Sequence, residues 1–322
     1  MIRIGLLGAS KIAPPAVIAP AAANPDFEVT AVAARDPARA RAYAETHAIP
    51  GVAASYAELV RREDVDVVYN GLPPAAHPEW TLAALEAGKA VLCEKPFALG
   101  PREARMMTEA AEARGLVLLE AFHYRHHNVF LKAEALARSG ALGALRRATA
   151  EFRVNIPRDP DELRWRADLG GGGLMDLGCY PLHALRTLFG GEPQIVSAQA
   201  SFEGRVDHDL SATLAFDGGV EAQIACAMVA EAPSASLVLE GDRGRLDILN
   251  FVAPQLGCRF TTVIDGVRET MAVDGPTTYA AQLAHLAAVL AGETQPLTGG
   301  ADAVANMTAI EAIYEAAGRP AA

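Results

Sequence analysis

Two stretches of this 322-residue sequence carry side chains suited to moving protons beside a small ligand. In the first, Val91-Leu92-Cys93 runs directly into Glu94-Lys95-Pro96. A buried parallel strand has no use for a carboxylate and an amine at its carboxyl end, and that end is where open α/β sheets bind ligands. A solvated strand end closed by a turn would give the same residues, so the reading depends on their surroundings. In the second, Gly170-Gly171-Gly172-Gly173 leads into Leu174-Met175-Asp176-Leu177-Gly178-Cys179-Tyr180-Pro181-Leu182-His183. Glycines let backbone approach a ligand closely. The helix that follows is expected to run to about Phe189. On it Asp176 and Tyr180 are four apart and Tyr180 and His183 three apart, so the three share a face. A carboxylate, a phenol and an imidazole there form an acid/base cluster, provided that face meets Lys95. Without that meeting, Asp176 is an acid at a helix start and Tyr180 a partly buried core residue.

The elements that must position these groups begin at the N-terminus. Ile2–Leu7 reads as a short apolar strand entering Gly8-Ala9-Ser10-Lys11-Ile12-Ala13, which has the spacing of G-x-G-x-x-G/A with Ser10 at the second glycine. That spacing asks for a tight turn at Gly8, close approach to a pyrophosphate around Ser10, Lys11 and Ile12, and small-residue packing at Ala13. A plain βα turn is the competing reading. Pro14 and Pro15 confine the next helix start to its first turn. The second strand, Glu28–Ala34, ends Ala34-Arg35-Asp36-Pro37. A carboxylate at this strand end holds ribose hydroxyls in dinucleotide folds, whereas an arginine accommodates a 2′-phosphate. Ala34 stands where the acid belongs. Asp36 is expected to cap the helix Pro37–Thr46, which leaves Arg35 for phosphate and favours NADP, with NAD the alternative. Arg35 as an ordinary surface residue is the bland reading.

Strand and helix continue to alternate. A brief strand at Val52–Tyr56 and a helix at Tyr56–Arg62 precede the strand Val65–Asn70, which breaks at Gly71-Leu72-Pro73-Pro74 ahead of His77. A helix from Pro78 to Ala87 ends at Gly88, a left-handed cap. Ala90–Cys93, the helix Pro101–Arg114 and Leu116–Glu120 complete the pattern. This predicts an α/β Rossmann domain over 1–121, a parallel sheet wound on both faces. After helix Asn128–Ser139 the pattern changes. Ala148–Ile156 alternates as a strand, and the irregular stretch Pro157–Leu169 follows. Closely spaced strands are then expected at Gln194–Glu203, His208–Phe216, Val220–Ala227, Ser234–Glu240, Gly244–Leu249, Cys258–Ile264 and Val267–Val273. Asp217-Gly218-Gly219, Asp242-Arg243-Gly244 and Asp265-Gly266 mark turns between them. Residues 122–322 are therefore expected to form an α+β domain on a large, mostly antiparallel open sheet, closed by helices Thr278–Ala291 and Ala301–Gly318.

Composition narrows the function classes. Hydrophobic residues are 51% and charged residues 21%, an ordinary globular balance. The net charge of −11, with no dense Lys/Arg tract, argues against nucleic acid as a partner. No apolar run reaches the ~18 residues that a membrane span needs, and the N-terminus enters a strand without a cleavable-signal pattern. Cys93, Cys179, Cys226 and Cys258 are scattered and form no Cys-x-x-Cys pair, so neither a metal site nor a disulfide framework is expected and a reducing cytoplasm is inferred.

The glycine-rich first turn, the x-P-x-x-x-H turn at Pro73 and His77, the run Glu86-Ala87-Gly88-Lys89, and Glu94-Lys95-Pro96 together resemble the Gfo/Idh/MocA oxidoreductases. Glu120-Ala121-Phe122-His123-Tyr124-Arg125-His126-His127 resembles the family's E-A-F-x-Y-R-x-H run. The likeness covers nearly the whole chain and is strongest over 65–190. Within the family it is closest to the branch of dimeric dihydrodiol dehydrogenase and NADP-dependent D-xylose dehydrogenase. The resemblance implies that Lys95 is the active-site lysine and that Glu94 orients the nicotinamide. It places Leu72, Pro73 and His77 at the nicotinamide end of the groove, with a cis Lys95–Pro96 peptide. Many relatives carry histidine four residues after the aspartate. This branch carries G-G-G-x-L-x-D-I-G-x-Y, and Tyr180 follows it. His123, Arg125, Trp165 and His183 become substrate-contact candidates, with His126 and Arg164 further along the pocket wall; each also reads as a packing or surface residue. His123 stands where many branch members carry an apolar residue. The second domain would bind substrate and pair through its open sheet into a homodimer or higher homo-oligomer.

The expected chemistry is reversible oxidation of a secondary alcohol or lactol of a polyhydroxylated small molecule, a sugar or trans-dihydrodiol. Hydride passes to C4 of NADP⁺ while Tyr180 accepts the hydroxyl proton. A free phenol titrates near ~10, and Lys95 as a nearby cation would bring it down. Asp176 would bind a substrate hydroxyl or orient Lys95. The alternatives are a dinucleotide-dependent sensor without turnover, and a redox-neutral sugar-modifying enzyme that retains its cofactor.

Overall fold

The computed structural model describes residues 1–159 and 161–321. Pro160, inside the irregular stretch, and Ala322 lie outside the described residues. The described chain forms two compact units, 1–122 with 279–304 and 123–278 with 305–322.

In the first unit the elements are β1 (Ile2–Leu7), α1 (Ala19–Ala22), β2 (Phe27–Ala33), α2 (Pro37–His47), β3 (Gly51–Val52), α3 (Tyr56–Leu59), β4 (Val67–Asn70), α4 (His77–Glu86), β5 (Ala90–Cys93), α5 (Pro101–Glu112) and β6 (Leu118–Glu120). The six strands pair in parallel in the order β3-β2-β1-β4-β5-β6. β4 and β5 are buried at every residue, as expected of strands covered on both faces. The strand order reverses between β1 and β4, so the crevice for a ligand opens outside their carboxyl ends. The third strand is shorter than the sequence suggests. Ser55 accepts a hydrogen bond from Glu58 N at 3.1 Å and starts α3 there, which ends the extended backbone early.

The second unit contains α6 (Asn128–Arg138), β7 (Leu145–Asn155), α7 (Cys179–Phe189) and the strands β8 (Gln194–Glu203), β9 (Val206–Phe216), β10 (Val220–Ala227), β11 (Val229–Gly241), β12 (Gly244–Leu249), β13 (Arg259–Ile264) and β14 (Val267–Met271). They form one eight-stranded sheet, β14-β13-β12-β11-β7-β10-β9-β8, antiparallel except where β10 runs parallel to β7. β11 begins earlier than expected and carries a register shift between Val229 and Ser234, where Pro233 has no N–H to give to the ladder. Helix α7 packs on β7 and β10. The opposite face alternates outward, with Glu221 and Gln223 exposed between buried Val220, Ala222 and Ile224.

Two late helices follow, α8 (Thr278–Leu290) and α9 (Gly300–Ala316). A single boundary at 121 gives residues 279–304 to the second half, but the chain returns to the first unit. Leu283 and Leu286 of α8 bury in the core shared by Leu6, Val32 and Leu92. The Thr298 hydroxyl donates to the Glu120 carbonyl at 2.7 Å. Such a return has no local sequence mark. Among the described residues no helix is long and apolar enough to cross a membrane, and no group of three or more His, Cys, Asp or Glu could hold a metal ion.

Candidate active site

The first unit carries one set of candidate residues, at the carboxyl ends of β1, β2, β4 and β5. Gly8 sits at φ +93°, and a Cβ there would come within 3.1 Å of Leu72 Cδ2, so only glycine fits the turn. Ser10 Oγ accepts from Ala13 N at 3.3 Å and its carbonyl accepts from the Tyr43 hydroxyl at 2.9 Å. The serine thus closes the turn in place of the second glycine, beside the exposed Lys11 and the half-buried Ile12. The chain then enters a π-helical turn, Pro14–Ile18, before α1. At the end of β2, Asp36 accepts from Ala38 N at 2.8 Å with Pro37 opening α2, and Arg35 is exposed. One turn along α2, Arg39 donates to the Ala9 carbonyl at 2.8 Å. Arg39 thus lies beside the glycine turn. The four-residue spacing from Arg35 was the available sequence signal for it.

The ends of β4 and β5 are tied together by buried polar groups. Asn70 Nδ2 donates to the His77 carbonyl at 3.2 Å and to Thr81 Oγ1 at 3.1 Å. Glu94 Oε1 accepts from the Tyr69 hydroxyl at 2.7 Å, which fixes the carboxylate at the strand end. Burial, with Glu94 beside it, pushes the Tyr69 phenol well above its ordinary range, so it stays a donor. The Lys95–Pro96 peptide is cis. Leu72 and Pro73 are half-buried. His77 does not line an open groove, because it is completely buried. Its Nε2 lies 2.8 Å from the Leu72 carbonyl, and its Nδ1 lies 3.1 Å from Pro96 O and 3.2 Å from Phe97 O. Burial lowers its pKa to about 4, although the three carbonyls pull the other way. The neutral imidazole is a strut between the turns that carry Leu72 and Lys95.

The second unit carries another set, built on the four-glycine run. A Cβ on Gly171 would lie 2.5 Å from the Arg164 carbonyl oxygen. Gly172, at φ +140°, faces the Asp207 carboxylate and the Tyr314 hydroxyl. The close approach expected for a ligand is therefore made here by the chain itself. Asp207 Oδ2 accepts from Leu174 N at 2.6 Å and Oδ1 from the Tyr314 hydroxyl at 2.7 Å. Burial raises the Asp207 pKa and these two bonds oppose that rise. Leu174–Gly178 is again a π-helical turn, and α7 continues to Phe189. Such turns recur at functional sites, and this one changes the α-helical spacing expected from Asp176 to Tyr180. Asp176 Oδ2 ion-pairs with Arg164 Nε at 2.7 Å.

Tyr180 is 4% exposed, and its hydroxyl lies 3.3 Å from His123 Nε2. His123 Nδ1 lies 2.8 Å from Thr278 Oγ1. His183, completely buried, has its Nδ1 2.5 Å from the Tyr124 hydroxyl, so it packs in the core and does not present a face to a substrate. Arg125 is also buried and pairs with Glu134 at 2.9 Å, a structural bond in the place of the expected pocket contact. His126 is buried beside it. Trp165 Nε1 donates to the Ile156 carbonyl at 3.3 Å, and the Arg158 guanidinium stacks 4.6 Å from its ring centroid. Sequence reasoning missed Asp207 and Thr278. Their partners lie 33 and 155 residues away, where no local pattern reaches.

The first unit therefore presents a glycine turn at the crevice of a parallel sheet, basic side chains at the end of β2 and a lysine at the end of β5. The second unit presents a phenol bonded to an imidazole, beside a carboxylate–guanidinium pair. Comparison with known proteins gives this arrangement relatives. Residues 2–122 match the oxidoreductase family with an NAD-binding Rossmann fold, and residues 130–247 match the GFO/IDH/MocA C-terminal domain. The chain is 39% identical over 261 residues to dTDP-3,4-didehydro-2,6-dideoxy-alpha-D-glucose 3-reductase of Streptomyces violaceoruber, covering 80% of this chain and 75% of the relative. It is 36% identical over 322 residues to D-xylose 1-dehydrogenase (NADP(+)) 2 of Haloferax volcanii, covering 98% and 97%. A crystal structure of a 3-ketoreductase from Actinomadura kijaniata with NADP and TDP-benzene superposes with a TM-score of 0.88 at 30% identity, over 98% of this chain and 97% of that one.

Proposed function

The chain belongs to the Gfo/Idh/MocA family of oxidoreductases, and we propose that it is an NADP-dependent dehydrogenase acting on a secondary alcohol or lactol of a sugar or trans-dihydrodiol. The observation that carries this reading is the placing of Gly8 after β1 and of Glu94-Lys95 after β5, at the carboxyl ends of strands that flank β4 in one parallel sheet. A dinucleotide fits the residues present. The turn at Gly8 has no side chain to obstruct a pyrophosphate, and Ser10, Lys11 and Ile12 lie beside it. Arg35 and Arg39 offer two cations to a 2′-phosphate at the end of β2, where the Asp36 carboxylate is engaged in capping α2. Leu72, Pro73 and Glu94 would hold the nicotinamide end, with His77 bracing them from behind.

When bound, the nicotinamide supplies the hydride chemistry. This chain's residues manage the proton. Tyr180 takes it from the substrate hydroxyl during oxidation and returns it during reduction. Lys95, a cation at the end of β5, lowers the cost of negative charge on that oxygen. Asp176, paired with Arg164, orients the reacting groups. Trp165 contributes shape to the pocket wall, and Arg125 braces it from behind through Glu134.

The test is a fluorescence titration with NADPH and NADH in parallel, after a check for cofactor carried through purification. D-xylose oxidation by NADP⁺ is then followed by absorbance of the reduced nicotinamide. NADPH preference with turnover supports the reading; equal or tighter NADH binding overturns the cofactor assignment. Binding without turnover of D-xylose, other pentoses and hexoses, or trans-dihydrodiols favours the sensor alternative. Retained cofactor without net reduction favours redox-neutral chemistry. A second substrate reading, reduction of a 3-keto group on a nucleotide-linked deoxysugar, is supported by the Streptomyces and Actinomadura relatives. It uses the same residues in reverse. We further infer a homodimer or higher homo-oligomer through the open sheet. The four free thiols are consistent with a reducing cytoplasm.

A further inference from the structure

We propose that His123 is a positioning residue that relays the catalytic proton, receiving it from Tyr180 while Thr278 fixes its tautomer. This rests on the dehydrogenase reading and deepens its proton step. The three groups form one line: Tyr180 hydroxyl to His123 Nε2 at 3.3 Å, then His123 Nδ1 to Thr278 Oγ1 at 2.8 Å. The rings of His123 and Tyr180 meet edge-on at 5.7 Å. His123 is 6% exposed and Thr278 fully buried, so the line is held by packing as well as by hydrogen bonds.

A neutral imidazole has one N–H and one lone pair. The partners of the two ring nitrogens of His123 include a phenol at Nε2 and an aliphatic hydroxyl at Nδ1. The phenol, with an ordinary pKa near ~10, is the more acidic and so the better donor. Tyr180 therefore donates to Nε2, and the imidazole proton sits on Nδ1, donated to Thr278. In alcohol oxidation the C–H electron pair leaves with the hydride to the nicotinamide, and the substrate O–H bond breaks as its proton passes to Tyr180. The proton already on Tyr180 moves to Nε2, a carbonyl forms, and His123 ends as an imidazolium. Reduction runs the same steps backwards. The proton is thus stored on a group that ordinarily titrates near ~6.5, not on a phenol alone. Within this unit the other titratable and charged neighbours are the Tyr124–His183 pair, the Arg164–Asp176 pair and the Arg125–Glu134 pair.

Two measurements test this. In ring-¹⁵N histidine-labelled protein, the His123 signals are assigned by their loss in His123→Met or, if that variant does not fold, His123→Gln. The expected state at neutral pH is the Nδ1–H tautomer, with an Nε2 signal that moves in Tyr180→Phe. An Nε2–H tautomer, a fully protonated ring, or signals unmoved by Tyr180→Phe overturn the relay. The second readout is the pH profile of kcat for D-xylose oxidation by NADP⁺. His123→Met should lower kcat at neutral pH about 10²-fold and move the acid limb upward, with KM within about threefold. An unmoved acid limb overturns the relay. Absence of D-xylose turnover in the wild type counts against the substrate reading, and the tautomer measurement still decides the relay.

Discussion

Lys95 and Tyr180 divide the proposed chemistry by charge, one as a permanent cation and the other as a proton carrier. Each should therefore be removable with the fold intact. Lys95→Met and Tyr180→Phe are expected to lower kcat by about 10²–10⁴-fold while NADPH affinity stays within a few-fold, as measured by steady-state kinetics beside fluorescence titration. Near-normal turnover in both variants would remove these residues from the mechanism. Arg35 and Arg39 separate differently. Arg35→Ala should weaken NADPH by about 10–100-fold, the worth of one charge-assisted hydrogen bond, and leave NADH unchanged. Arg39 also donates to the Ala9 carbonyl, so Arg39→Ala should weaken both cofactors. Equal effects of Arg35→Ala on NADPH and NADH would refute the 2′-phosphate role. Lys95, Tyr180 and Arg35 were legible because each is marked by its immediate neighbours. Arg39 needed its helix, and Thr278 needed the whole second unit.

Elements were legible where one physical rule dominates. β1, β5, β8, β10 and β12 fall where the apolar and alternating runs place them, since burial on one or both faces leaves no other register. The two π-helical turns carry no such mark. Pro14–Ile18 follows the glycine turn, and Leu174–Gly178 is set by Asp207 from a strand far along the chain. Asp207→Ala would leave the Leu174 N–H and the Tyr314 hydroxyl without this acceptor. It is expected to cost about 3 kcal/mol in urea unfolding and to impair Tyr180-dependent turnover more than NADPH binding; a change in neither stability nor turnover would show the turn to be self-supporting. His77 gives a pH dependence. Its folded pKa of about 4 lies below the unfolded value near 6.5. Above pH 6.5 both states are neutral and no difference arises. As pH falls from 6.5 towards 4 the unfolded chain takes up the proton and the folded chain does not, so stability declines by up to about 3 kcal/mol, at ~1.36 kcal/mol per unit. His77→Gln should flatten that part of the stability profile, and an unchanged slope would place the pH dependence elsewhere.

At the scale of the molecule, charge and surface pull in different directions. The chain carries −11 overall, which opposes an anionic cofactor at long range, so attraction must come from the local cluster of Lys11, Arg35 and Arg39. The open sheet raises a second whole-molecule question. An apolar uncovered face would by itself call for a partner. The exposed residues of this face are instead polar and charged, among them Ser197 and Gln199 on β8, Ser211 on β9, Glu221 and Gln223 on β10, Arg147 on β7 and Arg245 on β12. Val196 and Val267, both 62% exposed on the two edge strands, and Val229 and Leu249 on β11 and β12 are scattered exceptions among the exposed residues of the sheet. Alternation explains the difference: each strand sends its apolar residues to the helix-covered side. Pairing through this face would therefore rest on flatness and hydrogen bonding between two identical ladders, the self-complementary geometry of a two-fold dimer. Thr213 and Gln223 pair across β9 and β10, one and two strands in from the β8 edge. Replacing both with arginine would set two like charges side by side on this face of each copy. Sedimentation velocity at micromolar concentration is expected to give a dimer for the wild type and a monomer for Thr213→Arg/Gln223→Arg, with NADPH binding unchanged. A monomeric wild type, or a double variant that still dimerises, would remove this face as the contact.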